Sequence, residues 1–178
     1  MSEEEIQKIQ QRISELASEI ASLYSSISQI EAQISSLKEA IAELQKSIEM
    51  YIAIQENITT ALSHLANVIN EDNTGSLDDA KSYLKLYFSV DGMPKDDGLI
   101  QQITDDINNV IILLKRIYAE IDGKIEKIKG DIEIKELEIA AKEEEIKSVK
   151  EQIAAKENSK KQLEEMLANA PKAEETPH

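Results

Sequence analysis

Residues 6–51 read IQKIQQRISELASEIASLYSSISQIEAQISSLKEAIAELQKSIEMY. Within this stretch Ile6, Ile9, Ile13, Leu16, Ile20, Leu23, Ile27, Ile30, Ile34, Leu37, Ile41, Leu44, Ile48 and Tyr51 follow one another at steps of three and four. Apolar residues recurring every 3.5 positions draw a stripe along one side of an α-helix. Such a stripe is hidden from water only against another helix. The register continues through Ile58, Leu62, Leu65 and Ile69, with Gln55 its one polar interruption. A first helix is therefore expected from about Ser2 to Asn70, its seam covering roughly 95 Å of helix. Ser2 with Glu5 has the form of a capping box, and Glu3, Glu4 and Glu5 suit the positive end of the helix dipole.

Composition agrees with a coiled coil. Of 178 residues 41% are hydrophobic, but only 3% are aromatic, with one Phe and no Trp. A compact globule draws more of its core volume from aromatic rings, whereas coiled coils use Ile, Leu and Ala inside and Glu and Lys outside. The net charge is −15 and no segment is basic, which disfavours nucleic-acid backbones and anionic membranes. Cysteine is absent, so disulfide and thiolate chemistry are excluded. The opening Met-Ser-Glu-Glu-Glu lacks the basic start of a signal peptide. The longest apolar run, Val110–Leu114, is far shorter than the roughly 20 residues of a membrane span. A cytoplasmic protein is expected, with export by a route that needs no signal peptide left open.

Outward from the first seam, residues 71–98 break the pattern. Asn73-Thr74-Gly75 reads as a helix stop, and Ser76 with Asp79 as the start of a short helix. Leu77, Ala80, Leu84, Tyr87 and Phe88 give that helix an apolar face, and Gly92 and Pro94 end it. Asp96 or Asp97 is placed to cap the next helix. This second long helix carries Ile100, Ile103, Ile107, Val110, Leu114, Ile117 and Ile121 in heptad spacing, then Ile125 after a second four-residue step. Two such steps make a stutter. The seam resumes through Ile128, Ile132, Ile139, Ile146, Val149, Ile153, Leu163 and Leu167, with Lys135, Lys142, Lys156 and Lys160 at seam sites. Their aliphatic stems can pack while the ammonium groups reach water. The tail 170–178 reads as disordered.

Two seams of similar length, 6–69 and 100–167, joined by one connector predict an all-α, antiparallel helical hairpin within one chain. Facing residue numbers should then sum to about 170 by the pairing rule for antiparallel helices. Gly123 would lie near Ile48 and Tyr51, making room for the Tyr51 ring. Five of the six aromatics lie within 51–118, where Ile52, Ile54 and Val68 on one helix and Ile111, Ile112 and Leu113 on the other add apolar surface beyond the seam. A third helix, 76–89, would cover it. The expected organisation is a stalk of arms 1–50 and 119–169, a three-helix head at 51–118 and a free tail. A parallel homodimer competes with this, because Ile and Leu alternate along the first seam.

Signals for reaction chemistry are weak. Residues 70–81 loosely follow a calcium loop, but Lys81 stands where a bidentate Glu is needed. His64 has no partner at recognisable spacing and reads as a solvent-facing helical residue. Glu143 and Lys147 read as an exposed pair, and the serines between Ser14 and Ser36 as fillers of exposed positions. No enzyme, no cofactor and no metal site is expected.

Tyr87-Phe88-Ser89-Val90-Asp91 and Tyr118-Ala119-Glu120-Ile121-Asp122 share the spacing Tyr, three residues, Asp. With the segment Leu77–Leu84 and the helical-hairpin layout, they resemble the DUF5082-like helical proteins encoded beside LXG-type toxins of bacterial type VII secretion. The chain departs from that group's Trp-x-Gly element, since it has no Trp. The resemblance implies a non-enzymatic secretion partner or chaperone-like adaptor that binds the helical N-terminal region of a toxin. Tyr83, Tyr87, Phe88, Tyr118 and Asp122 are the candidate partner-binding residues. The alternative is a structural coiled-coil spacer or self-assembling rod, a homodimer in which length is the function.

Overall fold

The computed structural model describes residues 1–69 and 97–170, apart from the side chains of residues 67–69, 97, 99 and 100. The described chain is all-helical and contains no strand. Helix α1 runs Glu3–Ile69 and helix α2 runs Asp97–Asn169. The α1 start follows from its cap. Ser2 N–H donates to Glu5 Oε2 at 2.7 Å, and Glu5 N–H donates to Ser2 Oγ at 3.2 Å, each satisfying a backbone donor that the first turn leaves unpaired. Helix α2 is described from Asp97 onward, and the cap expected at Asp96 or Asp97 lies outside the described side chains.

The two helices pack side by side as an antiparallel hairpin. Contacts between them pair rising with falling numbers: Glu19 with Lys156, Gln33 with Lys142, Tyr51 with Lys124, and Gln55 with Tyr118 and Asp122. These pairs run a few residues above the expected sum. The chain divides into two compact units, one of residues 1–42 with 133–178 and one of residues 43–132.

In the first unit Ile20, Ile27 and Ile153 form a buried cluster edged by Leu23, Ile146 and Val149. Leu16, Ile30, Ile34, Ile41 and Ile139 are buried along the same seam. The four seam lysines behave as their chemistry demands: Lys135, Lys142, Lys156 and Lys160 are half-buried. Lys156 Nζ reaches Glu19 Oε2 at 2.7 Å, and Lys142 Nζ reaches Gln33 Oε1 at 2.8 Å. Their stems cover the seam while their charged ends find partners at its edge.

In the second unit Ile58, Ile121 and Ile125 form the buried cluster, with Ile48, Tyr51, Leu62, Leu114, Ile117 and Tyr118 packed against it. Along α2 the structure corrects three expectations. The covered positions of α2 include Thr104, Ile107, Ile111, Leu114, Tyr118, Ile121 and Ile125, an unbroken three-four series with Ile117 half-buried beside it, while Ile103 and Val110 are exposed. The expected stutter is therefore absent. One register kept along the whole helix needs no local unwinding, and Tyr118 supplies the apolar surface that holds it. Gly123 makes no room for Tyr51. A Cβ placed on Gly123 meets nothing within 4 Å, because the residue lies on the outer face of α2. The Tyr51 ring instead lies under the Lys124 ammonium, 5.8 Å from its centroid. Glu143 and Lys147 form no ion pair. The short-range pairs are others, such as Lys8–Glu4, Lys46–Glu43 and Arg116–Glu120. Exposed pairs of this kind gain too little to fix any one of them.

The third helix expected at 76–89, which would complete a head, lies outside the described residues. So do the calcium-like loop 70–81 and the tail beyond Ala170.

Candidate interaction surface

Each helix repeats every seven residues, and the positions can be lettered a to g with Gln55 of α1 and Ile125 of α2 both at a. The seam residues occupy a and d. The contacts then show which edges adjoin. In the second unit, Gln55 (a) meets Asp122 (e), and Tyr51 (d) meets Lys124 (g). The e edge of α2 therefore lies beside the a side of α1, and the g edge beside its d side. In an antiparallel pair this leaves two flanks, one lined by the e positions of both helices and one by the g positions.

The two flanks of the second unit differ in chemistry. The e flank carries Thr59, Asn108, Lys115 and Asp122, with Ile52 as its apolar exception. The g flank carries Ile54 and Ala61 on α1 and Ile103, Val110 and Ile117 on α2, giving way to Ser47, Lys124 and Asp131 toward its other end. Leu113 lies next to this row, one turn beyond Val110. Val110 is 45% exposed and Leu113 52%, while Ile117 and Ala61 are half-buried. Ile112, 66% exposed, and Met50 add further apolar surface to the unit. Isolated exposed aliphatics are ordinary on a protein surface, but a contiguous row of them is not.

Periodicity had pointed to Ile103, Val110 and Ile117, but as the seam itself. The burial pattern moves them to its edge. The signal for the edge was already present as two seven-residue series, Ile54–Ala61–Val68 and Ile103–Val110–Ile117.

The nominated partner-binding residues fall into two groups. Tyr118 is half-buried against the Ile58–Ile121–Ile125 cluster. Asp122 accepts a hydrogen bond from the Gln55 carboxamide at 2.6 Å, and that amide also donates to Tyr118 O at 3.3 Å. Both residues are thus engaged within the chain. Tyr83, Tyr87 and Phe88 lie outside the described residues.

The first unit offers a different surface. Its concavity around Ile34 and Ile146 is rimmed by Glu31, Lys38, Glu143 and Lys150. Tyr24, itself exposed, donates its hydroxyl to Glu157 Oε1 at 3.1 Å, and this bond raises the phenol's pKa. Lys156 holds the Glu19 carboxyl below its ordinary range through their hydrogen bond, with Arg12 adding its charge. Ser14, Ser18, Ser22, Ser25, Ser28, Ser35 and Ser36 are exposed, in keeping with a surface-filling role. His64 is exposed as well. Among the described residues no group of three His, Cys, Asp or Glu side chains is placed to hold a metal ion, and no helix is long and apolar enough to cross a membrane.

Compared with protein-family models, curated proteins and solved structures, the chain has no match.

Proposed function

We propose that this chain is a non-enzymatic helical interaction protein, a secretion partner or chaperone-like adaptor whose second unit docks the amphipathic helices of a protein client. The observation that carries the reading is the unequal pair of flanks: largely polar along e, apolar along g from Ile103 to Ile117, with Val110 and Leu113 half or nearly half exposed. A two-helix seam is complete without this row. A further helix laid along it would bury aliphatic side chains at i, i+3, i+7 spacing, the usual geometry of helix-in-groove recognition.

In this reading residues 76–89 add a third helix that leaves Val110 and Leu113 open to the client, and complete a head over 51–118. Tyr83, Tyr87 and Phe88 provide the aromatic anchors, since such rings contribute most where a partner excludes water. The client is the helical N-terminal region of an LXG-type toxin, in line with the resemblance drawn from Tyr118…Asp122 and the segment after Leu77. Synthesis is cytoplasmic, and the protein travels with its client.

The test is a titration of the full chain with the helical N-terminal region of such a toxin, followed by calorimetry. Binding that weakens at least tenfold in a Val110→Asp, Leu113→Asp variant of unchanged helicity supports the proposal. A chain that ignores the client and sediments as a stable homodimer would overturn it in favour of a self-assembling spacer.

A further inference from the structure

The length of the connection between α1 and α2 does not by itself choose how they align. Residues 70–96 can reach roughly 90 Å when extended, whereas sliding one helix by a heptad changes the distance between its ends by only about 10 Å. A two-residue loop would dictate register, whereas a chain of this length permits several. The seam is also nearly degenerate. A seven-residue slide places isoleucine and leucine against isoleucine and leucine again, so apolar burial alone discriminates poorly between registers.

The Gln55 carboxamide breaks that degeneracy. It is 8% exposed, the one buried polar residue of the described core, and donates across the hairpin to Asp122 Oδ1 at 2.6 Å. The position facing it repeats every seven residues as Asn108, Lys115, Asp122 and Lys129. A slide by one heptad in either direction replaces Asp122 with Lys115 or Lys129. The Gln55 Nε2 donor then loses its charged acceptor, although its Oε1 can still accept from a lysine as Gln33 does from Lys142. The same slides move Tyr51 from Lys124 to Ile117 or Asp131, and no cation remains over the ring. The first unit carries its own such pair. Glu19 meets Lys156, and one heptad to either side stand Val149 and Leu163.

We infer that the Gln55–Asp122 hydrogen bond sets the register of the second unit, selecting one alignment from a ladder of heptad-spaced alternatives that its aliphatic seam would otherwise accept. The seam gives up apolar burial at position 55 and gains a single alignment. This is the use for which a lone polar seam residue is best attested.

The chain has no cysteine, so engineered pairs report register directly. Leu62 and Leu114 face one another by heptad position in the observed register, and Leu62 and Ile107 do so one heptad away. With Leu62→Cys plus Leu114→Cys, the otherwise unaltered chain should close a disulfide nearly completely under mild oxidation. With Leu62→Cys plus Ile107→Cys it should stay reduced. Adding Gln55→Leu should let the second pair close in a substantial fraction of molecules, at least tenfold above background, while helicity is retained. Asp122→Ala, at an exposed position that leaves the seam intact, should do the same. Moving the amide with Gln55→Leu plus Ile48→Gln, which faces Asp122 only after the slide, should favour the second pair over the first. If the Leu62–Ile107 pair stays reduced in every helical variant, Gln55 does not set register and the inference fails.

Discussion

At the scale of single residues, the N-terminal cap and the outward glycines give the cleanest tests. The Ser2–Glu5 box satisfies two backbone donors, and its bonds hold the Glu5 carboxyl below its ordinary range, the bond from the Ser2 backbone N–H being the larger cause. Glu19 is lowered in the same direction by Lys156. For a carboxyl whose folded pKa is depressed, the stabilisation is present above the unfolded value and disappears as pH falls through the folded one. Below about pH 4 these bonds should therefore weaken. A Glu19→Gln variant should show a smaller fall in melting temperature between neutral and acid pH than the parent chain. An identical fall would mean that the Lys156 pair contributes nothing to acid sensitivity.

Gly123 and Gly130 lie within α2, and a Cβ on either meets nothing within 4 Å. Alanine there reduces the freedom lost on folding without meeting a neighbour. Each substitution should raise stability by about 0.5–1 kcal/mol, measurable by urea unfolding. A loss of stability at Gly123 would restore a packing role that its open surroundings deny.

The burial pattern is the measure at the scale of the element. In α1 the seam positions are the covered ones, from Ile6 through Leu65, and the residues between them are mostly exposed. Ile153, 4% exposed in the first unit's cluster, should cost about 2–4 kcal/mol when cut to alanine, because the lost contact area leaves a void. Ile112→Ser on the outer side of α2 should change stability by less than about 0.5 kcal/mol. Thermal unfolding followed by circular dichroism distinguishes the two. A large loss at Ile112 would place a covering element over that side of α2.

Considered as a whole molecule, the hairpin is an intramolecular pairing. Its melting temperature should be independent of protein concentration over a hundredfold range, because no association step accompanies folding. A rise with concentration would show that a second copy contributes to the seam. The net charge of −15 works against close approach of two copies at low salt, so any such association should strengthen as salt is added.

Most of the architecture was legible in residue spacing. The start of α1, its cap, the two long helical seams and the lysines at seam sites all follow from local rules about periodicity, capping and amphipathic side chains. These rules act within a few turns of one helix, so a single sequence displays them. What the spacing left undecided was which of two adjacent apolar rows in α2 faces the partner. Ile103, Val110 and Ile117 form one row, and Ile111 and Tyr118 the other, and both keep a seven-residue period. That choice depends on α1, a separate helix tens of residues away in the chain, and on keeping one continuous register along α2.

The amino-acid sequence by itself determined that this protein is two long helices bearing complementary apolar seams, because heptad spacing is a property of each helix alone. Only the tertiary structure decided that the seam runs through Tyr118, that Gln55 meets Asp122, and that an apolar row is left along one flank. Those outcomes depend on the alignment of one helix against the other, and a repeating pattern does not encode its own offset.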